Sequence, residues 1–406
     1  MSSIRAILLQ LSATIYGAAV SLGLSITLAV LLGPEHFGAY AGIVTIASFL
    51  GLLQDSGLRT LVAREHTVPT VGVAFSRTRL VSLAGGHVLL VTAAILAGLL
   101  LLPVHAGTVA LVWAVMAFGA ITMLQLAAVS LRAQGAFGRD AAWQIAVRTV
   151  SALAILAGIG LFGASPTVVF AAWAIALLSV VPLHPALRGV KPAFTPARSL
   201  YRAAAGFLVV DLATFVYNRA DILLLTLLLR DQADVGRYAA GYRLFDGALL
   251  LAAPAATVLF RKMRLVHAEP AVFARLLRHS LALAACVGIA LAAGGWMFGP
   301  ALARRFFGEA YAAATGSTIQ WLSVALAFAL PSAVLTQAAI AAGAQRVYAG
   351  AATVAACVNV SINLATIPTF GIRGAAWATI ATEGALWLVL WLRLRYGSAR
   401  KSGLVS

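Results

Sequence analysis

Long apolar runs, each closed by glycine, proline or charge, fill most of this chain. An α-helix rises about 1.5 Å per residue, so about 20 apolar residues cross the hydrocarbon layer of a bilayer. Twelve runs of that order occur, at 8–32, 38–61, 80–102, 108–131, 141–163, 166–183, 203–229, 236–260, 276–298, 316–341, 347–368 and 373–393. The breaks between them include Gly33-Pro34-Glu35, Pro103, 135–140, 163–166, 231–234, Pro300 and 368–371. Proline lacks the N–H that continues the helical ladder, and glycine favours turns, so these positions mark ends. The first run exceeds the roughly 7–15 apolar residues of a cleaved signal, and it is read as a span. The pattern predicts an all-α polytopic membrane protein with twelve transmembrane helices.

Composition narrows the class. Of 406 residues, 62% are hydrophobic and 10% charged, against about 45–50% and about 25% in a soluble domain. That balance excludes a soluble enzyme, a disordered chain and a nucleic-acid module. The formal net charge of +17 therefore reports loops rather than a nucleic-acid partner. With the N-terminus inside, 21 of the 29 basic residues fall in inner loops and tails and five in outer loops. The other three, Arg148, Arg219 and Arg243, fall within spans. Basic loops stay on the cytoplasmic side, so both termini are expected there, which an even span count requires. The cluster Arg261, Lys262, Arg264 at a helix end reads as a contact for anionic membrane lipids. The two cysteines, Cys286 and Cys357, lie in apolar runs without metal-ligand spacing and read as small core residues.

A basic, proline-bearing stretch divides the chain near its middle. Pro185, Pro192 and Pro196 stand among Arg188, Lys191, Arg198 and Arg202. The organisation expected is a six-helix lobe over 1–184, a cytoplasmic linker over 185–202, a second six-helix lobe over 203–396 and a cytoplasmic tail over 397–406. A short repeat supports pseudo-symmetric halves. Gly38-Ala-Tyr-Ala41 opens the second helix and Gly236-Arg-Tyr-Ala239 opens the eighth. The Tyr of each copy is expected at the outer interface, where an amphipathic ring is stable. Six-helix repeats of this kind place a substrate site between lobes near the midplane.

Charges inside spans are costly in hydrocarbon, which makes each a functional candidate. They concentrate on helices seven and eight, as Asp211, Asn218, Arg219, Asp221, Arg243 and Asp246. Arg243 and Asp246 are three apart and share a helix face, as do Asp55 and Arg59 at four apart. Arg219 and Asp221 are two apart and point different ways, so at least one needs a partner on another helix. Arg219 lies ten residues before Leu229, about 15 Å along the axis and so near mid-membrane. Arg148 on helix five and Glu383 on helix twelve can pair across helices or reach an interface. On helix one, Thr14, Gly17, Ser21 and Ser25 form a stripe of small residues. Asn359, Asn363 and Thr366 form another on helix eleven, and both suit helix packing. His87 on helix three reads as a buried, satisfied imidazole.

Several segments resemble a known family. Leu31-Leu-Gly-Pro-Glu-His-Phe-Gly-Ala-Tyr40 looks like the first-helix exit of polysaccharide biosynthesis and Wzx-type oligosaccharide flippases. Asn218-Arg-Ala-Asp221 with Val235-Gly-Arg-Tyr-Ala239 is similar to the seventh-to-eighth helix signature of that family. Phe307-Gly-Glu-Ala-Tyr311 matches its ninth-to-tenth loop, and Asn359 to Asn363 with 367–379 its last helix pair. The resemblance implies the multidrug/oligosaccharidyl-lipid/polysaccharide exporter (MOP) superfamily, with its MATE-like two-lobe fold and alternating-access cavity. It also implies the cargo, a polyprenyl-diphosphate-linked oligosaccharide flipped from the inner to the outer leaflet of a bacterial plasma membrane.

With that cargo, the polar residues take expected roles. Arginine binds phosphate oxygens in pairs through its planar fork and stays charged when partly desolvated. Arg219 and Arg243 are expected at the diphosphate or an acidic sugar, with Asn218, Ser21 and Ser25 lining the passage. Asp221, Asp246 and Asp211 are candidates for ion coupling or for holding the arginines. No phosphate-binding GxxxxGK[ST] loop occurs, so an ion gradient rather than ATP is expected to drive transport. No cofactor, metal site, catalytic residue or nucleic-acid partner is expected, and a glycan polymerase is a candidate partner. A drug or toxin:cation antiporter of the same fold is the alternative. A membrane glycan polymerase or ligase is a remote one, since no outer loop is long enough for a catalytic domain.

Overall fold

A computed structural model describes residues 3–67, 76–195 and 198–402. Pro196 of the expected linker and residues 403–406 of the expected tail lie outside the described residues. So do the side chains of Arg5, Arg77, Arg395, Arg400 and Lys401. The described chain is nearly all helical, without strands. The helices are α1 (Ser3–Asp55), α2 (Leu58–Thr67), α3 (Arg77–Leu99), α4 (Ala106–Ala133), α5 (Phe137–Phe162) and α6 (Pro166–Val180). They continue with α7 (Arg198–Leu228), α8 (Gln232–Leu265), α9 (Pro270–Phe307), α10 (Ala312–Ala341), α11 (Gln345–Phe370) and α12 (Ile372–Ser402). Ten helices among the described residues are long and apolar enough to cross a membrane, and α8 is not among those ten.

The break predicted at Gly33-Pro34 is present as a kink, while two predicted helix ends, at Pro300 and at 393, are overrun. Gly33 is non-helical (φ 70°, ψ 171°), yet the helix resumes at once, so α1 holds two arms across the kink. Pro34 sits at the start of the second arm, where its missing N–H costs nothing. Pro300 does not end α9, which runs on to Phe307. It lies at a close crossing with α10, where a Cβ on Gly316 would come 2.7 Å from Pro300 Cα. The last helix extends to Ser402, into the expected tail.

The chain divides into two compact units, 1–32 with 39–212 and 33–38 with 213–406. In the first, Leu58, Leu61, Leu80, Ala84, Leu126, Leu200 and Ala204 form a core between α2, α3, α4 and the start of α7. The segment before α7 is docked rather than free, since the Ala193 N–H donates to Ser82 O at 2.9 Å. Ala174 and Leu177 of α6 pack on Ala117, Ala120 and Leu124 of α4. In the second unit, Leu335, Ala351, Ala355, Leu386 and Leu390 join α10, α11 and α12. Small residues let these helices approach closely, as Ala375 and Ala376 at 0% exposure show.

The turn Gly33–Gly38 belongs to the second unit. There the glycines of the two repeats meet backbone to backbone. A Cβ on Gly38 would overlap the Gln232 carbonyl, and one on Gly236 the Pro34 carbonyl. The repeated glycine is therefore a requirement of close approach. The repeated tyrosines differ in burial. Tyr238 is fully buried, and Tyr40 stacks on Phe170 with centroids 5.2 Å apart. Cys286 and Cys357 are exposed on their helices rather than in the core.

Candidate functional site

Each unit carries a polar seam between its helices. In the second unit the seam runs along α7, α8 and α12. Arg219 of α7 reaches Asp246 of α8, with Nη2 3.6 Å from Oδ2. Arg243 reaches the same oxygen from within α8, with Nη1 at 3.8 Å. The three-residue spacing of Arg243 and Asp246 thus makes the expected pair, but Arg219 shares it. The Arg219 guanidinium also lies over the Tyr242 ring, 5.9 Å from its centroid, an attraction of cation to π-face. Two guanidiniums on one carboxylate leave this group net positive.

Asp221 points away from Arg219, as two-residue spacing requires, and is 2% exposed. Its Oδ2 accepts from the Tyr238 hydroxyl at 2.6 Å and its Oδ1 from the Ile222 N–H at 2.8 Å. Thr379 Oγ1 lies 3.4 Å from the same tyrosine oxygen. One turn away, the Tyr217 hydroxyl donates to Glu383 Oε1 of α12 at 2.5 Å. Tyr217 and Asp221 are four apart on α7, and Thr379 and Glu383 four apart on α12. The result is two stacked tyrosine–carboxylate pairs binding three helices. Asn218, exposed, donates to Thr214 O at 2.8 Å. Asn363, fully buried on α11, donates to Asn359 Oδ1 at 2.9 Å, so the small polar stripe there bonds within its own helix.

Asp211 does not join this seam. It falls in the first unit, with Arg59 as its neighbouring cation. Asp55 accepts the Arg59 backbone N–H at 3.2 Å, while the Arg59 side chain donates to Gln125 Oε1 of α4. His87 is satisfied at both nitrogens, by Tyr201 Oη and Leu53 O, each at 3.0 Å.

The first-unit seam joins α1 and α5. Asp140, Gln144, Arg148 and Ser151 recur at three- and four-residue steps and share one face of α5. Opposite them lies the stripe on α1. Asp140 is 0% exposed. Its Oδ2 accepts from Gln10 Nε2 at 2.9 Å, Gln144 Nε2 at 2.9 Å and Arg132 Nη1 at 3.1 Å. Two turns on, Arg148 Nη1 donates to Ser21 Oγ at 2.8 Å and Gly17 O at 3.3 Å. Tyr16 Oη and Thr149 Oγ1 are 2.7 Å apart. Ser25, half-buried, lies one turn beyond Ser21.

The structure thus brings Arg219, Arg243 and Asp246 into one cluster, places Asn218 and Asp221 on the same stretch of α7, and sets Asp211, Ser21 and Ser25 in the other unit. Sequence reasoning missed Tyr238 and Tyr217, whose hydroxyls hold the buried carboxylates, and Gln10, Asp140 and Gln144. The polar stripe on α5 was legible as a period and is the signal that could have found the last of these.

Comparison with known proteins agrees with this architecture. The model of a family described as polysaccharide biosynthesis protein matches residues 3–260. No curated protein matches the chain. Among solved structures, the lipid II flippase MurJ in an inward closed conformation aligns with a TM-score of 0.71 at 15% identity. That alignment covers 97% of this chain and 88% of the other. An inward-facing multidrug resistance MATE family transporter of the MOP superfamily aligns at 0.68 and 14% identity, over 97% and 99%. A MOP superfamily transporter from Pyrococcus furiosus, with reverse polarity of its binding pocket, aligns at 0.58 and 17%, over 99% and 96%. At these identities the likeness is one of fold, and that fold is shared by flippases and transporters.

Proposed function

Because the chain belongs to the polysaccharide biosynthesis protein family, we propose that it is a flippase for a polyprenyl-diphosphate-linked oligosaccharide. It carries the headgroup from the inner to the outer leaflet of a bacterial plasma membrane by alternating access. Twelve spans serve this, with the two arms of α1 counted separately and α8 added to the helices that are apolar enough alone. The positive-inside bias sets both termini in the cytoplasm, and 185–202 connects two six-helix lobes.

The observation that carries the reading is the convergence of Arg219 and Arg243 on Asp246 at 3.6 and 3.8 Å. A diphosphate entering hydrocarbon needs cationic forks, and a carboxylate between them keeps both charged and oriented until an anion arrives. Asn218, exposed beside Arg219, is a hydrogen-bonding contact for the headgroup. Ser25 lines the passage, and Ser21 serves it through Arg148. Transport draws on an ion gradient, with Asp221 the leading coupling group and Asp246 the counter-ion of the arginines. Asp211 acts with Arg59. A glycan polymerase receiving the translocated unit is a candidate partner, and anionic lipids contact the basic helix ends.

A deletion strain tests the proposal. Mass spectrometry of its polyprenyl-linked intermediates should find the complete repeat unit accumulating on the cytoplasmic face. Normal intermediates with normal surface glycan would overturn it. A drug or toxin:cation antiporter is the second reading, favoured by the buried acids Asp221 and Glu383, which suit a cationic cargo. It predicts drug sensitivity in the same strain with unchanged glycan.

A further inference from the structure

Arg148 stands apart from the other arginines in the spans. It lies eleven residues into α5, about 17 Å along the helix, and so deep within the span. Among the described residues it makes no ion pair. The nearest acid on its own face, Asp140, is two turns away, about 12 Å along the axis. That carboxylate is already taken by Arg132, Gln10 and Gln144. An uncompensated guanidinium at this depth is costly unless something else answers its charge.

Nor does Arg148 escape toward lipid. Val150 and Leu153, exposed at 41% and 62%, define the outward aliphatic face of α5. Arg148 is two residues from Val150, a rotation of about 200°, and so projects from the opposite side. It lies across α1, where its Nη1 is fixed by Ser21 Oγ and Gly17 O. The site is shaped for this posture. A Cβ on Gly17 would overlap Nε and come 2.8 Å from Cδ and 2.9 Å from Cζ of Arg148. Only glycine leaves room for the guanidinium to lie flat on the helix. No hydrogen bond occupies Nη2 or Nε among the described residues, and the side chain is exposed. The exposed fork therefore keeps Nε and Nη2 as donors not used by the protein, a pair that can take two oxygens of one anion.

We propose that Arg148, seated on Gly17 and Ser21, is an oxyanion site of the first unit that binds a phosphoryl group. If the chain flips a polyprenyl diphosphate, as the proposed function holds, this site is where the first unit holds the phosphoryl part of that cargo. The Ser21 hydroxyl then acts through Arg148 rather than on the sugar directly, and Gly17 is a positioning residue.

The test uses the wild-type full chain in detergent or nanodiscs. Arginine modification by phenylglyoxal is followed by mass spectrometry, with and without inorganic pyrophosphate or farnesyl diphosphate. At a probe concentration about tenfold above Kd, modification of Arg148 should slow about tenfold. Equal protection by both probes identifies free phosphate chemistry as sufficient. Protection at much lower farnesyl diphosphate concentration identifies a lipid-linked headgroup. An Arg148 rate unchanged by either probe overturns the proposal. In Gly17→Ala, where Arg148 is retained but displaced, protection should weaken; undiminished protection in that variant would overturn the seating on α1. The footprint requires no transport. A chain protected at Arg148 whose deletion leaves glycan intermediates normal would refute the flippase reading and keep this one.

Discussion

The Tyr238 hydroxyl donates to Asp221 across α7 and α8 at 2.6 Å, with the tyrosine at 0% and the aspartate at 2% exposure. The tyrosine of the second repeat is thus the hydrogen-bond partner of the most enclosed acid in the second unit. Tyr238→Phe keeps the ring and removes one donor from a buried acceptor, which costs about 1–3 kcal/mol. Thermal unfolding of the purified variant should show a lowered midpoint with the protein still inserted. If Asp221 also couples transport to an ion gradient, Asp221→Asn should abolish gradient-driven accumulation in vesicles while leaving the protein folded.

Arg219 and Arg243 depend on one acceptor, Asp246. Their substitutions should therefore be non-additive. Arg219→Ala and Arg243→Ala are each expected to reduce complementation of a flippase-deficient strain by about tenfold or more, a loss of about 1.4 kcal/mol. The double variant should be little worse than the worse single one. Arg243→Lys should restore only part of the function, because an ammonium cannot present a planar fork. Full complementation by both single variants, at wild-type membrane levels, would remove the phosphate-contact assignment.

The crossing at Gly38 and Gly236 gives a sharper structural prediction. A methyl at Gly236 has nowhere to go, since it would overlap the Pro34 carbonyl, and backbone cannot yield as a side chain can. Gly236→Ala should cost at least about 1–3 kcal/mol, as overpacking does, and lower the folded yield from membranes. Gly98, also within a helix, has nothing within 4 Å of its Cβ position. Gly98→Ala should stabilise by about 0.5–1 kcal/mol, since alanine loses less backbone freedom. Equal midpoints for the two variants would show that the close approach is not a constraint.

Period and punctuation were enough to read the helical architecture, because a span in lipid must satisfy its own backbone and announces itself by length. The same reasoning placed the Arg243–Asp246 pair, which lies within one helix. Punctuation misled at Pro300, which lies inside α9 rather than at its end, whereas Gly33-Pro34 does separate the two arms of α1. Pairings between helices were not legible. Arg148 and Ser21 are 127 residues apart, and Tyr217 and Glu383 are 166 apart. No local period encodes which faces of two distant helices meet. The stripe on α1 was visible, and so was Arg148, but only packing puts the guanidinium on the glycine.

Asp140 tests whether the first-unit seam holds helices together. Three donors from α1, α4 and α5 converge on its Oδ2, while no donor among the described residues reaches Oδ1. The bonds are thus crowded on one oxygen, and that oxygen is what an amide can preserve. Asp140→Asn should keep an acceptor for Gln10 and Gln144 and lose the charge that Arg132 answers. Arg132 is 40% exposed, so water can replace that partner at little cost. Asp140→Ala instead removes the shared acceptor, leaving Gln10 with Phe137 O at 2.9 Å and Gln144 with Gln10 Oε1 at 3.3 Å, at about 1 kcal/mol for each bond lost. Unfolding midpoints in detergent should therefore rank wild type, then Asp140→Asn, then Asp140→Ala. Because Gln10 contributes one of the donors, Gln10→Ala should cost less in the Asp140→Ala background than in the wild type, where the bonds of Gln10 to Phe137 O and Gln144 are the part that remains. A full additive effect in that background would show that Gln10 and Asp140 do not act through their shared bond.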